Sequence, residues 1–432
     1  MPPSLDQRVL RPESRACGCP RAEQQHPGRG AAAIKLACMP LPVTMVIQAW
    51  DPVVGGAQRQ LQQLTGRLAA RDVRVTVVTR WSPGLHRFEP GDTHDLRRVG
   101  AGWSTPAASA RFIAAGTRHV LASRPAVVHA HDLLSASTCA AFGAGLGRVP
   151  LVVKVASVGP GGDLDVLLGR PGGHARLRSL LARVDVFACV SEEVAAELRR
   201  HGAPAERCLA VANGVDLDHF RPPPATPGHR RAVRQSLGLP PDGPLVLSGG
   251  RLRGVKRLDT LVQACRMAGA HLVLVGEGPE ASRLGRLPAV TVRAPVDDLR
   301  PYLDAAHVYA SASQTEGLSN AMLEAMASGL PVAAVPASGV RGLLGDGRGA
   351  LAADAGAPAL ACAIAGLLRE PARTNAARCA RVHLERHHDL EDTATRLATL
   401  YRRLAAHANS HGVSTRARSR AGSAGAHIRR TS

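Results

Sequence analysis

Two carboxylates and two cations in the second half of the chain have the types and spacing that could bind a sugar nucleotide. Glu316 and Glu324 bracket the start of a short predicted helix, which ends at Gly329 before Pro331. Ser319 or Asn320 is predicted to cap its first amides. Backbone amides at a helix start favour anions and carboxylates favour hydroxyls, so a ligand with both phosphate and polyol groups fits. Either glutamate alone could equally be an ordinary surface acid.

Arg251 and Lys256 precede this motif and follow a predicted buried strand directly. With Gly250 they place two cations and a helix start at the carboxyl end of the sheet, an arrangement that suits a pyrophosphate. No Gly-Lys-Ser/Thr sequence follows, which excludes a P-loop. The alternative is a pair of surface cations in a loop.

Candidate residues of the first half also stand at predicted strand ends. Gly55 and Gly56 would let the backbone approach a ligand closely. Strand alternation puts His129 and His131 on one face, where one of them could meet sugar or phosphate, although a core or capping histidine fits nearly as well. Lys154 ends the next strand, and the glycine-rich loop 159–173 after it is predicted to be a mobile lid on the acceptor side.

The order of predicted elements around these residues indicates an α/β protein. Strands and helices alternate from Val43 onward, pause at the proline-rich segment 221–228, and then start again. We therefore predict two tandem Rossmann-like, doubly wound domains that face one another across a cleft. The predicted segments are a disordered or mis-started leader (1–42), a first, acceptor-side domain (43–220), a linker (221–228), a second, donor domain (229–389), a helix that crosses back to the first domain (390–407) and a basic disordered tail (408–432).

Composition narrows the function classes. The chain has 432 residues and a net charge of +20, of which about +12 falls on residues 45–407. This charge could attract anionic substrates or an anionic membrane surface, or could simply reflect solvated arginines. Aromatic residues make up 3% of the chain, which argues against nucleic-acid binding by base stacking. Nine scattered cysteines favour reduced thiols, and no apolar run is long enough to span a bilayer. We expect a cytoplasmic protein that could contact the inner membrane face peripherally.

Lysine usage supports the candidate site. Only three of the 54 basic residues are lysines, namely Lys35, Lys154 and Lys256. A chain that uses arginine almost everywhere is expected to keep lysine where a compact ammonium group is needed.

Taken together, these motifs resemble the retaining glycosyltransferases of group 1 (family 4), which have two Rossmann-like domains in the GT-B fold. The resemblance covers about residues 45–405. It rests on Gly55-Gly56, His129-Ala-His131, Val190-Ser-Glu192, Asn213-Gly-Val-Asp216, Gly250-Arg251 with Lys256, Gly276-Glu-Gly-Pro279 and the Glu316 to Glu324 motif.

The resemblance implies transfer of a hexose from a nucleotide diphosphate sugar, expected to be UDP-linked, to an acceptor hydroxyl with retention of configuration. It assigns the leaving diphosphate to Arg251 and Lys256, the hexose hydroxyls to Glu316, and the ribose to Glu324. It also places His131 against the transferred sugar and Gly56 under the diphosphate. Further donor contacts fall on the amides around Gly317, Leu318, Ser319 and Asn320.

The same resemblance implies that no metal and no cofactor is needed, the sugar nucleotide being a co-substrate. The acceptor could be a saccharide, a glycolipid or a small molecule. A nucleotide-sugar epimerase on the same fold and a non-catalytic binding subunit are the alternatives. The chain departs from the family at Gly339-Val-Arg341-Gly342, where relatives usually have Gly-x-Pro-Glu, and at Lys154-Val-Ala-Ser157, where they often have His-Gly.

Overall fold

The computed structural model describes residues 39–51, 55–101, 105–315 and 317–425, with the backbone alone from residue 411 onward. Glu316 therefore lies outside the described residues, as do the first 38 residues of the predicted leader. The strand β1 begins at Leu41, two residues before the predicted start of the first domain at Val43.

The first half alternates strands and helices. Its elements in chain order are β1 (Leu41–Val46), α1 (Gly56–Ala69), β2 (Val73–Arg80), β3 (Phe88–Glu89), β4 (His94–Val99), α2 (Pro106–Ser123), β5 (Val127–Ala130), α3 (Ser135–Gly147), β6 (Leu151–Val155), α4 (Asp163–Leu168), α5 (Gly173–Arg183), β7 (Val186–Cys189), α6 (Glu192–Arg200) and β8 (Cys208–Ala210).

The second half repeats this pattern after residues 221–226, which have no regular secondary structure. Its elements are α7 (His229–Ser236), β9 (Leu245–Gly249), α8 (Leu258–Met267), β10 (His271–Val275), α9 (Ala281–Leu284), β11 (Val290–Arg293), α10 (Arg300–Ala305), β12 (Val308–Ser311), α11 (Asn320–Ala327), β13 (Val332–Ala334), α12 (Val340–Leu344), β14 (Ala350–Leu351), α13 (Ala357–Leu367), α14 (Ala372–His387) and α15 (Leu390–Gly425).

Each half is built on one twisted sheet. The first has the strand order β3-β4-β2-β1-β5-β6-β7-β8 and is parallel except for the β3–β4 pair. The second has the order β11-β10-β9-β12-β13-β14 and is parallel throughout its described pairs. Central strands such as β5 and β7 are buried along their whole length, because helices cover both faces of a parallel sheet. The predicted pair of doubly wound α/β domains is confirmed.

The last helix, α15, packs on the first sheet. Leu390, Ala394, Leu397 and Tyr401 recur at helical spacing and are buried against a core that includes Val43 of β1. The helix extends to Gly425 and so runs through most of the segment that was predicted to be a disordered tail.

Three details correct the sequence analysis. The loop 159–173 contains the helix α4, because Asp163 at its start accepts hydrogen bonds from Ala156 N (2.8 Å) and supplies an acid to the first turn. The sequence also predicts helical structure from about Ala357 to His387, and the structure divides this region into α13 and α14, since Pro371 cannot donate an intrahelical hydrogen bond. The elements β3, β4 and α2 were not predicted at all.

Candidate functional site

The two sheets each have one point where the strand order reverses, and the candidate residues lie at these points. In the first sheet the chain proceeds from β1 to β2 on one side and later to β5 on the other. In the second sheet β9 is followed by β10 on one side and later by β12 on the other. Loops diverge at such a switch point and leave a crevice, which is where open α/β sheets bind their ligands. Gly56 and His131 follow β1 and β5, whereas Arg251 and Gly317 follow β9 and β12.

The loop after β9 presents two cations to one pocket. Arg251 is exposed and Lys256 is half-buried, at the end of a 3₁₀ turn over Gly254–Lys256. The loop is held by backbone hydrogen bonds from Gly250 N to Val275 O (3.0 Å) and from Leu252 N to Glu277 O (2.7 Å). Both cations line the same pocket, together with Ser248, Gly249, Gly250, Leu252, Leu258, Leu274, Ser311 and Ala312. The structure therefore brings together the two cations that were predicted to bind a diphosphate.

The start of α11 is free of side-chain caps. Ser319 occupies the N-cap position without making a side-chain hydrogen bond to the helix, so the predicted cap is wrong. The Asn320 amide donates instead to Gly56 O, 2.8 Å away in the other half. The first amides of α11 are thus not satisfied by either predicted cap, which suits the binding of an anion. At the other end, Gly329 has φ +71°, the predicted left-handed conformation.

Glu324 is a buried acid rather than a solvent-facing one. Its side chain lies on α11 and is 6% exposed. Burial raises the pKa of the Glu324 carboxyl to about 7, while the Arg59 guanidinium opposes that rise and the Asp298 carboxylate adds to it. The Arg59 side chain itself donates to Val296 O across the cleft. A carboxyl group with this pKa changes its charge in the neutral pH range.

A chain of polar side chains connects the two halves at the base of the cleft. Lys154 Nζ donates to Asn213 Oδ1 (2.7 Å), and Asn213 Nδ2 donates to Asn320 Oδ1 (3.0 Å) and to Leu318 O (3.1 Å). Burial lowers the pKa of Lys154 to about 8, against the opposing effect of Asp163. Lys154, predicted on the acceptor side, is thus connected through Asn213 to Leu318 and Asn320 in the second half.

The loop after β12 touches the first half directly. A Cβ atom on Gly317 would lie 1.4 Å from Ala156 O, so no residue with a side chain fits there without moving the two halves apart. Thr315 Oγ1 donates to Pro160 O, and Ser338 Oγ donates to Val158 O (3.1 Å). The segment predicted to be a lid is therefore in contact with the second half.

The two candidate histidines of the first half stack on one another. His129 and His131 have ring centroids 4.4 Å apart and an interplanar angle of 28°. His129 is 1% exposed, and its Nδ1 atom is 2.6 Å from the Tyr401 hydroxyl on α15, so the structure places it against that helix. His131 is 7% exposed and lies just beyond β5. Burial lowers the pKa of His129 to about 3 and that of His131 well below its ordinary value, and the Lys154 ammonium lowers both further.

Three residues that contribute to this arrangement were not predicted as site residues. Asn213 was noted only as part of a motif, and its signal was the neighbouring Gly214, which marks a close backbone approach. Arg59 and Tyr401 gave no sequence signal, because their contacts join residues far apart in the chain. Gly55 and Gly56, as predicted, lie at the start of α1.

Metal-binding clusters and membrane-spanning helices are both absent from the described residues. No group of three or more His, Cys, Asp or Glu side chains in the described ranges is arranged to hold a metal ion. None of the described helices is both long and apolar enough to cross a membrane.

Comparison with known proteins places both halves in one class. Residues 54–219 match the sequence profile of Glycosyltransferase Family 4, and residues 243–370 match that of Glycosyl transferases group 1. The D-inositol 3-phosphate glycosyltransferase 2 of Catenulispora acidiphila is 30% identical over 362 residues, which cover 74% of this chain and 83% of the relative. The D-inositol 3-phosphate glycosyltransferase of Mycobacterium avium is 31% identical over 366 residues, covering 75% and 82%.

Solved structures give the fold. The sucrose-phosphate synthase of Thermosynechococcus elongatus superimposes with a TM-score of 0.72 at 24% identity, covering 85% of this chain and 99% of that one. HepE of Anabaena, solved in complex with UDP-glucose, has a TM-score of 0.67 at 19% identity and coverages of 83% and 99%. The glycosyltransferase WaaG has a TM-score of 0.65 at 20% identity, with coverages of 83% and 99%. The architecture is the GT-B fold.

Proposed function

Because the chain belongs to the group 1 (family 4) glycosyltransferases, we propose that it moves a hexose from a UDP-linked sugar to an acceptor hydroxyl with retention of configuration. The observation that carries the proposal is the placement of Arg251 and Lys256 in one pocket at the switch point of the second sheet. The solved relative HepE binds UDP-glucose, which supports a uridine diphosphate donor.

The chemistry that this site has to supply is stabilisation of the leaving diphosphate. As the bond between the anomeric carbon and the phosphate breaks, negative charge develops on the phosphate oxygen. Arg251, Lys256 and the first amides of α11 would carry this charge without a metal ion or cofactor. The acceptor hydroxyl attacks from the same face, and its proton passes to the departing phosphate oxygen. No protein nucleophile is assigned.

We assign the remaining donor contacts by the resemblance of the chain's motifs to those of the family. Glu324 would accept hydrogen bonds from the ribose hydroxyls, and Glu316 from the hexose hydroxyls. The start of α1 at Gly55 and Gly56 would lie under the diphosphate, and His131 would face the transferred sugar. A ligand with two phosphates and two polyol groups is the one that uses all of these groups at once.

A thermal-shift panel of nucleotides and sugar nucleotides tests the donor. A ligand that binds only the folded state stabilises it by about 2.7 kcal/mol at a hundred times its Kd, so a true donor raises Tm. We expect UDP and one UDP-hexose to give the largest shifts. The absence of a shift with every nucleoside diphosphate and sugar nucleotide would overturn the proposal.

An acceptor panel then tests transfer. Its first member is D-inositol 3-phosphate, the compound for which the relatives are named. Expected is a new glycoside, detected by mass spectrometry, whose anomeric configuration by proton NMR equals that of the donor. Conversion of the donor into an epimer, or binding without any turnover, would favour the epimerase or the binding subunit instead.

A further inference from the structure

The last helix contributes a tyrosine to the histidine pair of the cleft. We propose that Tyr401 is a positioning residue, whose hydroxyl fixes the ring of His129 so that His129 in turn holds His131 against the donor sugar. This inference rests on the proposed function, because it concerns how the sugar-facing His131 keeps its orientation.

The contact between Tyr401 and His129 is short and fully enclosed. Tyr401 Oη and His129 Nδ1 are 2.6 Å apart, with Tyr401 0% and His129 1% exposed. The two rings meet edge to face, with centroids 5.9 Å apart and an interplanar angle of 64°. Phenylalanine would fill this apolar face as well, whereas a buried hydroxyl costs free energy unless it is hydrogen-bonded. The hydroxyl therefore has a role that packing alone does not explain.

Counting donors and acceptors assigns the proton between the two side chains. Within the described residues the Tyr401 hydroxyl has no hydrogen-bond partner besides His129 Nδ1. His129 Nε2 has no partner there at all. If Tyr401 donates to Nδ1, only the Nε2–H group is left unsatisfied. If His129 donates from Nδ1, both the tyrosine O–H and the bare Nε2 are left unsatisfied. The first arrangement costs less, so Tyr401 fixes His129 as the Nε2–H tautomer.

The His131 ring stacks on the His129 ring that Tyr401 fixes. The 4.4 Å stack aligns the two rings, and His131 N donates to Val46 O (2.9 Å), which holds its backbone to β1. His131 Nε2 is buried and has no partner among the residues that the structure describes. His129 Nε2 likewise has no partner among the described residues, but His131 lies just beyond β5 and is the more exposed of the two, at 7% against 1%, so we assign the ligand hydroxyl to His131 Nε2.

The surroundings of the pair keep both rings neutral. Burial is the main reason that the pKa of either imidazole is lowered, and the positive charge of Lys154 on β6 opposes protonation further. From α15 the facing ionisable group is the Tyr401 phenol, whose pKa burial raises above its ordinary value. A neutral His131 can accept a hydrogen bond from a sugar hydroxyl, or donate one to it, without placing a charge beside the transferred hexose.

The part of α15 that carries Tyr401 is packed into the core of the first half. Leu397, Ala398 and Ala405 of α15 are buried in the same cluster, against strands that include Val127 of β5. Just before the helix, His388 Nδ1 lies 3.1 Å from Asn213 O, in the chain of polar contacts that joins the two halves. A hydroxyl on this helix is thus held in a fixed position relative to the cleft.

The test is Tyr401→Phe, with Tyr302→Phe as the matched control. Tyr302 is also buried, but on α10, away from the histidine pair. We expect Tyr401→Phe to lower kcat about tenfold with an unchanged KM for the donor, the equivalent of about 1.4 kcal/mol in the barrier. Tyr302→Phe should leave both constants unchanged. Nitrogen NMR of the imidazoles should show Nε2–H on His129 in the native protein and a mixture of tautomers in Tyr401→Phe.

A double-mutant cycle separates positioning from general stability. If Tyr401 acts through His131, Tyr401→Phe should have no further effect on kcat in a His131→Ala background. An equal loss in both backgrounds, or native kcat in Tyr401→Phe, would overturn the inference while leaving the proposed function intact. Inactivity of the native protein with every sugar nucleotide would overturn both.

A second variant covers the case in which Tyr401→Phe does not fold. His129→Asn keeps an acceptor for the tyrosine hydroxyl but removes the ring on which His131 stacks. Its kcat should fall to that of His131→Ala, with an unchanged donor KM. Native kcat in this variant would overturn the inference.

Discussion

Lys256 and Arg251 differ in how they can hold a phosphate. Lysine is a compact point charge, whereas arginine is a planar fork, and this chain keeps only three lysines among its 54 basic residues. The sequence pointed to Lys256 and Lys154 through this rarity. The structure places Lys256 in the same pocket as Arg251. Lys154 instead donates a hydrogen bond to Asn213.

The first prediction concerns this ammonium group. Lys256→Ala should lower kcat on the order of 100-fold or more, because one fixed positive charge on the leaving phosphate is lost. Lys256→Arg should retain more activity than Lys256→Ala but less than the native kcat. Arg253→Ala removes an exposed charge from the same loop outside the pocket and is the matched control. Equal kcat in Lys256→Ala and Arg253→Ala would contradict the assignment.

The second prediction concerns the buried carboxyl of Glu324. Its raised pKa of about 7 means that the carboxylate, the better acceptor for ribose hydroxyls, forms only as the pH rises through neutrality. Nucleotide affinity measured by calorimetry should therefore increase between pH 6 and pH 8. Glu324→Gln should bind more weakly and lose this dependence, while the exposed Glu206→Gln should behave as the native protein. The same affinity profile in Glu324→Gln would exclude the ribose contact.

The shift at Glu324 also affects stability, with a defined sign. The pKa in the folded state is above the ordinary value of 4.5, so the folded state binds the proton more tightly. Glu324 thus favours folding below about pH 4.5, and this contribution is lost as the pH rises through 7. Glu324→Gln should accordingly raise Tm relative to the native protein at pH 8 more than at pH 4.5.

Among the secondary-structure elements, local sequence signals predicted helix bounds correctly where capping residues, glycine or proline mark the ends of a helix. The sequence predicts helices over Glu192–Arg200 and Leu258–Met267, and α6 and α8 have these bounds. Ser191 caps α6 by accepting a hydrogen bond from Val194 N (3.3 Å). The strand β4, which lies between β2 and the short edge strand β3, was missed because polar residues alternate with its few apolar ones. For α2 a signal was present, since Thr105 caps it and Pro106 begins it.

The third prediction concerns the junction between β8 and α15. A Cβ atom on Gly214 would lie 2.5 Å from the Cα atom of Leu390, so the return of the chain to the first sheet depends on a residue without a side chain here. Gly214→Ala should destabilise the protein by about 1–3 kcal/mol through overpacking. Gly366→Ala, exposed in α13 with open space around it, should be neutral or stabilising. Urea unfolding of both variants provides the comparison.

At the scale of the whole molecule, the relation between the halves decides the site. The hydrogen bonds of Asn320 to Gly56 and Asn213 join residues 264 and 107 positions apart. No local pattern encodes such a pairing, because it depends on how two separately folded sheets approach each other. The sequence therefore predicted the two halves and their strand-end residues, but not the polar chain or the Tyr401 contact that connect them.

The fourth prediction concerns closure. Gly317→Ala should hold the halves apart, because its Cβ atom would overlap Ala156 O. Donor affinity should fall less than kcat, since Arg251 and Lys256 stay together on one half, while kcat should fall on the order of 100-fold through lost alignment. Small-angle scattering should show a larger radius of gyration than for native protein. Gly145→Ala, which meets no atom within 4 Å, is the control; native kcat in Gly317→Ala would contradict the role of closure.

In the proposed reaction this chain breaks a sugar–diphosphate bond, and Arg251 and Lys256 stabilise the negative charge that develops on the phosphate. The most direct measurement is the release of UDP from UDP-hexoses, with and without the acceptor panel, by native protein and by Lys256→Ala at matched concentration. We expect release by native protein with one donor sugar preferred, and a loss on the order of 100-fold in the variant. No release by native protein from any sugar nucleotide, or equal release by both proteins, would contradict it.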